Sequence, residues 1–221
     1  AGPCRRSVEA FGLIESRLAE HGLERLEADA LVGEDRTFVE SYFKAYISPI
    51  ISPLVIDPRH PFPNLRNGAL YIACGLAGRD EEGLIGLVPG SLPRCVTVPG
   101  TGAGMRYILL EDVILACLPG AFGIYAPQDS AVIRVTRNAD IDPDGEGVEE
   151  DEDYRQHMKR ILKKRLRLQP VLLTYRGSLA RKTLKHIRRA LGLAARSCLN
   201  VERPLSLGYV FSLESHIPEA E

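Results

Sequence analysis

The sequence predicts an α+β protein with a mixed β-sheet, and three observations carry that prediction. Some segments repeat apolar residues at three- and four-residue spacing, while others alternate or run apolar in short blocks. The two kinds are mixed without the strict alternation of a parallel α/β fold. The composition, 221 residues with 45% hydrophobic and 26% charged, is that of a folded soluble protein with enough apolar matter to offset chain ordering. The length suits one large domain, or one domain with an appendage.

Residues 7–21 read as an amphipathic helix, with Val8, Phe11, Ile14 and Leu18 on one stripe and Gly22 placed as a left-handed C-terminal cap. One stripe cannot be buried by its own helix, so this helix must dock on the rest of the chain or on a missing partner. A second helix follows, with Thr37 and Glu40 at capping-box spacing and Val39, Phe43, Tyr46 and Ile47 as its stripe. Pro49 and Pro53 end it, and the five prolines between residues 49 and 63 predict an ordered, extended connector.

From residue 68 the pattern turns to β. Leu70–Leu76 and Gly83–Val88 flank a polar loop at residues 78–82, as in a hairpin. Arg94–Val98 and Arg106–Leu109 are strands around a glycine-rich tip at Gly100–Gly104, and Glu111–Leu118 is a short helix. Gly123–Tyr125 and Ala131–Thr136 read as further strands. Nine acidic residues between 140 and 153 predict a solvated loop. A basic helix over 153–167, a strand over Pro170–Tyr175, a second basic helix over Leu179–Leu191 and an apolar segment over Leu207–Leu213 complete the chain.

Several function classes recede on these grounds. Five cysteines without a C-x-x-C pair indicate neither a disulfide framework nor a zinc site, and point to a reducing cytoplasm. No run approaches the roughly 18 apolar residues of a membrane span. A formal charge of −1 argues against a dedicated nucleic-acid binder. The chain opens Ala1-Gly2-Pro3 without a methionine, as expected of a processed chain or an excised domain.

The candidate chemistry is thin. Gly100–Gly104 is followed by Met105-Arg106 rather than the Lys and Ser/Thr of a phosphate-binding loop, so it reads as a hairpin tip. Of the five histidines, His21, His157, His186 and His216 read as surface residues, and His60 sits constrained between Arg59 and Pro61. A catalytic His60 needs a partner that the sequence does not show. The basic helices, seven cations in 155–167 and six in 176–189, suit either a polyanion or a solvated face balanced by the acidic loop. Lys159, Lys163 and Arg167 are the contacts to test, together with Arg134 and Arg137, which suit an anion or structural ion pairs equally.

A set of ordered motifs resembles one family. Tyr42-Phe43-Lys44, the run from Ile47-Ser48-Pro49 through Asp57-Pro58 to His60-Pro61-Phe62-Pro63, and Asn67 come first. Leu92-Pro93-Arg94, Tyr107 to Ile114, Arg134 to Asp140, and Lys159 to Arg165 with Pro170-Val171 follow in the same order. Together they resemble the middle (head) domain of bacterial polyphosphate kinase of the first family, from about residue 38 to the end.

The resemblance implies a middle domain over 36–221, with residues 1–35 as the last helix of an N-terminal helical domain. It implies a phosphohistidine-phosphatase-like fold, a mixed sheet covered by helices on both faces. The family passes the terminal phosphate of ATP to polyphosphate through a phosphohistidine, with magnesium, on two phospholipase-D-like domains that would follow this chain. Site residues for catalysis, cofactor or metal are therefore expected to be none here, and ATP and Mg belong to the parent enzyme. The implied role is scaffold and homodimer interface in a cytoplasmic enzyme, peripheral to the inner membrane if it meets one, with the flanking domains as partners. Two rivals stand beside it: polyphosphate binding by the basic helices, and a small phosphatase site around His60.

Overall fold

A computed structural model describes residues 3–57, 61–77, 84–89, 93–100, 104–138 and 168–216. The hairpin loop at 78–82, His60, the acidic stretch 140–153 and the basic helix 153–167 lie outside the described residues, and with them Lys159, Lys163 and Arg167.

Helix α1 (Pro3–Glu20) ends on Gly22 at φ 77°, the cap that its position predicts. Its buried line is Phe11 and Leu18 with the half-buried Glu15 between them, while Ile14 is 46% exposed. Strand β1 (Leu23–Leu26) follows at once. Helix α2 (Gly33–Tyr42) starts four residues before Thr37, so the expected capping box is wrong: the Thr37 hydroxyl donates back to the Gly33 carbonyl at 3.1 Å. A π-turn over Phe43–Ile47 extends α2, closed by the Ser48 amide donating to the Phe43 carbonyl at 2.8 Å. The wider turn keeps Ile47 in line with Phe43 and Val39 and turns Tyr46 outward, 62% exposed.

Six strands make the main sheet, with a seventh, short one beside them. Strands β2 (Leu54–Ile56), β3 (Leu70–Ala77) and β4 (Leu84–Pro89) run antiparallel, β3 and β4 as the expected hairpin. β8 (Ser130–Arg137) pairs with the other side of β3, and β9 (Pro170–Ser178) with β8. Helix α4 (Arg181–Ala190) crosses over to β10 (Cys198–Asn200), which lies parallel to β9. The remaining strands make a second, three-stranded sheet: β1 parallel to β6 (Met105–Leu109), and β6 antiparallel to β5 (Cys95–Val98). Helix α3 (Leu110–Ala116) leaves β6 without a loop. Gly123–Tyr125, expected as a strand, is a turn. Tyr125 donates to the Phe122 carbonyl there, and β7 (Ala126–Pro127) begins just after, against the end of β3.

β3 is buried on both faces, as only a central strand can be. Ile72, Cys74 and Leu76 pack with Val39, Phe43, Val113 and Ile114 of α2 and α3. Tyr71 and Ala73 pack on the other face with Ile187 and Leu191, in α4 and just after it. Helices thus cover both faces of the main sheet. Val96, Val98 and Ile108 of the small sheet join the first cluster. The small sheet's opposite face buries Tyr107 and Leu109 with Leu18, Leu23, Tyr209 and Leu213. The apolar stretch Leu207–Leu213 reaches that place as 3₁₀ turns over Gly208–Ser212. Among the described residues no helix is long and apolar enough to cross a membrane.

Candidate functional site

Arg134 and Arg137 lie on β8 with their guanidinium groups engaged by backbone carbonyls. Arg134 Nη1 donates to the Leu205 carbonyl at 2.9 Å. Arg137 is 7% exposed and donates to Leu65 O from Nε (3.0 Å) and Nη2 (2.9 Å), to Leu168 O at 2.7 Å and to Asn64 Oδ1 at 2.5 Å. Burial holds its proton affinity below the usual guanidinium range. The two arginines serve different packing clusters, around Leu205 and around Leu65, and do not converge.

A denser constellation surrounds the start of α3, where Glu111 and Asp112 are 3% and 1% exposed. Glu111 receives a two-pronged contact from Arg94, through Nε at 3.3 Å and through Nη2. Arg94 also donates to the Ser206 carbonyl at 2.8 Å and lies 5.2 Å from the centre of the Tyr209 ring. Asp112 Oδ1 accepts from Arg176 Nη2 of β9 at 2.6 Å, and its Oδ2 faces Arg25 Nη1 of β1 at 3.8 Å. Arg25 is held in turn by Glu15, with Nη2 at 2.9 Å, and by Glu27 at 2.6 Å. Burial pushes the Asp112 carboxyl up to about 6, with Arg176 the main opposing influence. Buried acids are rare unless paired, and these pairs knit α1, both sheets and α3. The residue pattern does not single them out as a site. Its one signal is a pair of adjacent acids inside the apolar run Tyr107 to Ile114.

The second basic helix exists as expected, as α4. Thr183, Ile187 and Leu191, four residues apart, face the sheet, while Arg181, Lys182, Lys185 and Arg189 are exposed. Arg188 is half-buried and donates to the Leu193 carbonyl at 3.0 Å. Among the described residues no carboxylate pairs with the four exposed cations. The helix N-terminus is closed by Asp129, which accepts from the Ala180 amide at 2.8 Å and the Thr183 hydroxyl at 2.7 Å. His21 and His216 are exposed and His186 is half-buried. Among the described residues no three acidic, His or Cys side chains cluster as metal ligands would. What this surface can do chemically is attract an anion through α4.

Known proteins resemble the chain in both sequence and fold. Polyphosphate kinase from Halalkalibacterium halodurans is 30% identical over 205 residues, 90% of this chain and 29% of the relative. Polyphosphate kinase from Pseudomonas aeruginosa is 30% identical over 214 residues, 92% of this chain and 30% of the relative. A crystal structure of polyphosphate kinase from Porphyromonas gingivalis shares the fold at a TM-score of 0.64 and 22% identity, over 90% of this chain and 28% of that one. The chain thus spans less than a third of the length of these relatives. The family model described as the polyphosphate kinase middle domain matches residues 34–213, and the chain belongs to that family.

Proposed function

We propose that this chain is the scaffolding middle domain of an enzyme that moves the terminal phosphate of ATP onto polyphosphate, and that it supplies no catalytic group. Residues 1–35 close a preceding helical domain in this reading, and 36–221 form the middle domain and part of a dimer interface. The supporting observation is the match to the middle-domain family across residues 34–213. The arginines point the same way, since Arg94, Arg134 and the buried Arg137 hold carbonyls and a carboxylate of the chain itself. Incubating the chain with labelled ATP and polyphosphate tests this. Neither phosphoryl transfer nor a phosphohistidine is expected, and either one overturns the reading.

The exposed face of α4 favours a second role, a path for a linear polyanion. Arg181, Lys182, Lys185 and Arg189 stand exposed along one side of a single helix. Lys159, Lys163 and Arg167, outside the described residues, are further candidates for the same polyanion. Such binding draws its strength from counterion release and weakens steeply with salt. Polyphosphate titrated at low and high salt decides it; no binding at low salt ends it.

A further inference from the structure

The three carboxylates around Arg25 and the single one at Arg176 make an uneven junction. Arg25, with a side chain 6% exposed, meets Glu15, Glu27 and Asp112. Arg176, 15% exposed, meets Asp112 alone among the described residues. Asp112 therefore joins a strand of the small sheet to a strand of the main sheet through one carboxyl group. Of the other charged groups on α3 and the elements packed against it, Glu111 binds Arg94, Arg36 binds Glu40, Arg106 binds Asp35, Arg134 and Arg137 hold carbonyls, and Glu34 at the start of α2 is exposed. Arg25 Nη1, Asp112 Oδ2 and Arg176 Nε are buried without a hydrogen-bond partner, so the junction is not saturated and has freedom to rearrange.

We propose that Asp112 is a proton-sensitive joint between the two sheets, whose protonation frees Arg176 of β9 and leaves Arg25 of β1 in place. The partners that remain decide which arginine moves. A neutral Asp112 leaves Arg25 with two carboxylates and Arg176 with none, and a buried guanidinium without a counter-charge is costly. Arg176, the more exposed of the two, has the shorter way to water. Its departure, with the carboxyl still inside, removes the strongest influence that favours the ionised form. Proton uptake and release of the arm therefore reinforce each other, as linkage requires. The carboxyl titrates near 6, which places the change close to neutral pH. Because β9 leads directly into α4, the device would set how firmly the small sheet is tied to the strand that carries the basic helix.

Exchange of the guanidinium Nε–H protons, followed by ¹⁵N NMR in the chain and referenced to exposed Arg181, tests the joint. The expected result is protection of Arg176 falling about tenfold between about pH 7.5 and about pH 5, with Arg25 unchanged. Asp112→Asn should show the low-pH behaviour of Arg176 at both values. Arg176 holding at both, both arginines released together, or a surviving step in Asp112→Asn each overturns the proposal. If Asp112→Asn fails to fold, the wild-type comparison still decides it. Arg176→Gln, which should leave Arg25 protected throughout, is the second check.

Discussion

The carboxylate of Asp129 meets the hydroxyl of Thr183 at 2.7 Å, and both sit against Gly75 in the middle of the main sheet. Asp129 also accepts from the Gly75 amide at 2.5 Å and the Ala180 amide at 2.8 Å, so one side chain ties β3 to the first turn of α4. Asp129→Ala should cost about 2–3 kcal/mol in denaturant unfolding, the loss of a helix cap plus a charged acceptor. A Cβ on Gly75 would fall 2.6 Å from the Thr183 hydroxyl and 3.2 Å from the Asp129 oxygens. Gly75→Ala is therefore expected to destabilise by roughly 1–3 kcal/mol, with the double variant Gly75→Ala/Thr183→Ala recovering part of it.

Removing the Arg137 guanidinium takes one donor from each of the Leu65 and Leu168 carbonyls and from Asn64 Oδ1. Arg137→Ala should lower stability by about 3 kcal/mol or more, and Arg137→Lys should restore less than half of that. Thermal melts of the three proteins check it. Equal melting points for wild type and Arg137→Lys would contradict a role that depends on the planar fork.

Asp112 gives a pH dependence whose sign runs opposite to that of a carboxylate held low by an ion pair, as Asp35 is by Arg106. Its carboxyl rises from 3.8 to about 6 in the folded chain, with burial as the largest cause. Between those values the folded state holds a proton that the unfolded state has released. This contribution to stability is thus complete below about pH 4 and is lost as pH rises through about 6, at up to about 1.4 kcal/mol per pH unit. Denaturant midpoints across that window, with Asp112→Asn as the comparison, should show the slope in wild type and its loss in the variant.

Cys74 and Cys117 should resist alkylation until the chain unfolds. Burial pushes their thiols up to about 12 and about 11 respectively, so the reactive thiolate is scarce near neutrality as well as inaccessible. Labelling under native conditions, followed by peptide mass analysis, should find both unmodified. Rapid modification of Cys74 would mean that β3 opens to solvent.

Reversing charge at Lys182, Lys185 and Arg189 should weaken polyphosphate binding and flatten its salt dependence, by about one unit of slope for every phosphate no longer neutralised. The matched change at Lys159, Lys163 and Arg167 should act in the same direction if both basic stretches serve one path. Isothermal titration at two salt concentrations separates an electrostatic loss from a folding defect, provided circular dichroism of the variants is unchanged.

Elements whose signal is local are legible from residues alone: α1 with its Gly22 cap, the β3–β4 hairpin, and α4 with its basic face. Those that depend on distant partners are not. Leu23-Glu24-Arg25-Leu26 has no strand signature, and becomes β1 because β6 offers a free edge. Cys198-Leu199-Asn200 is a strand only beside β9. Thr37 carries the chemistry of a cap but sits inside a helix that began at Gly33. The arginines are visible in the sequence as cations. That Arg134 and Arg137 face carbonyls from residues some seventy positions away is information that only the folded chain contains.

The pairing of Leu23 with Met105 has a kinetic consequence. β1 must wait until some eighty further residues have been made and β5 and β6 have met. The entropy of closing so long a loop makes this a late step, after the local hairpin of β3 and β4. During synthesis α1 and β1 are made before β5 and β6, so Leu18 and Leu23 await the β6 residues Tyr107 and Leu109 that pack on them in the finished chain.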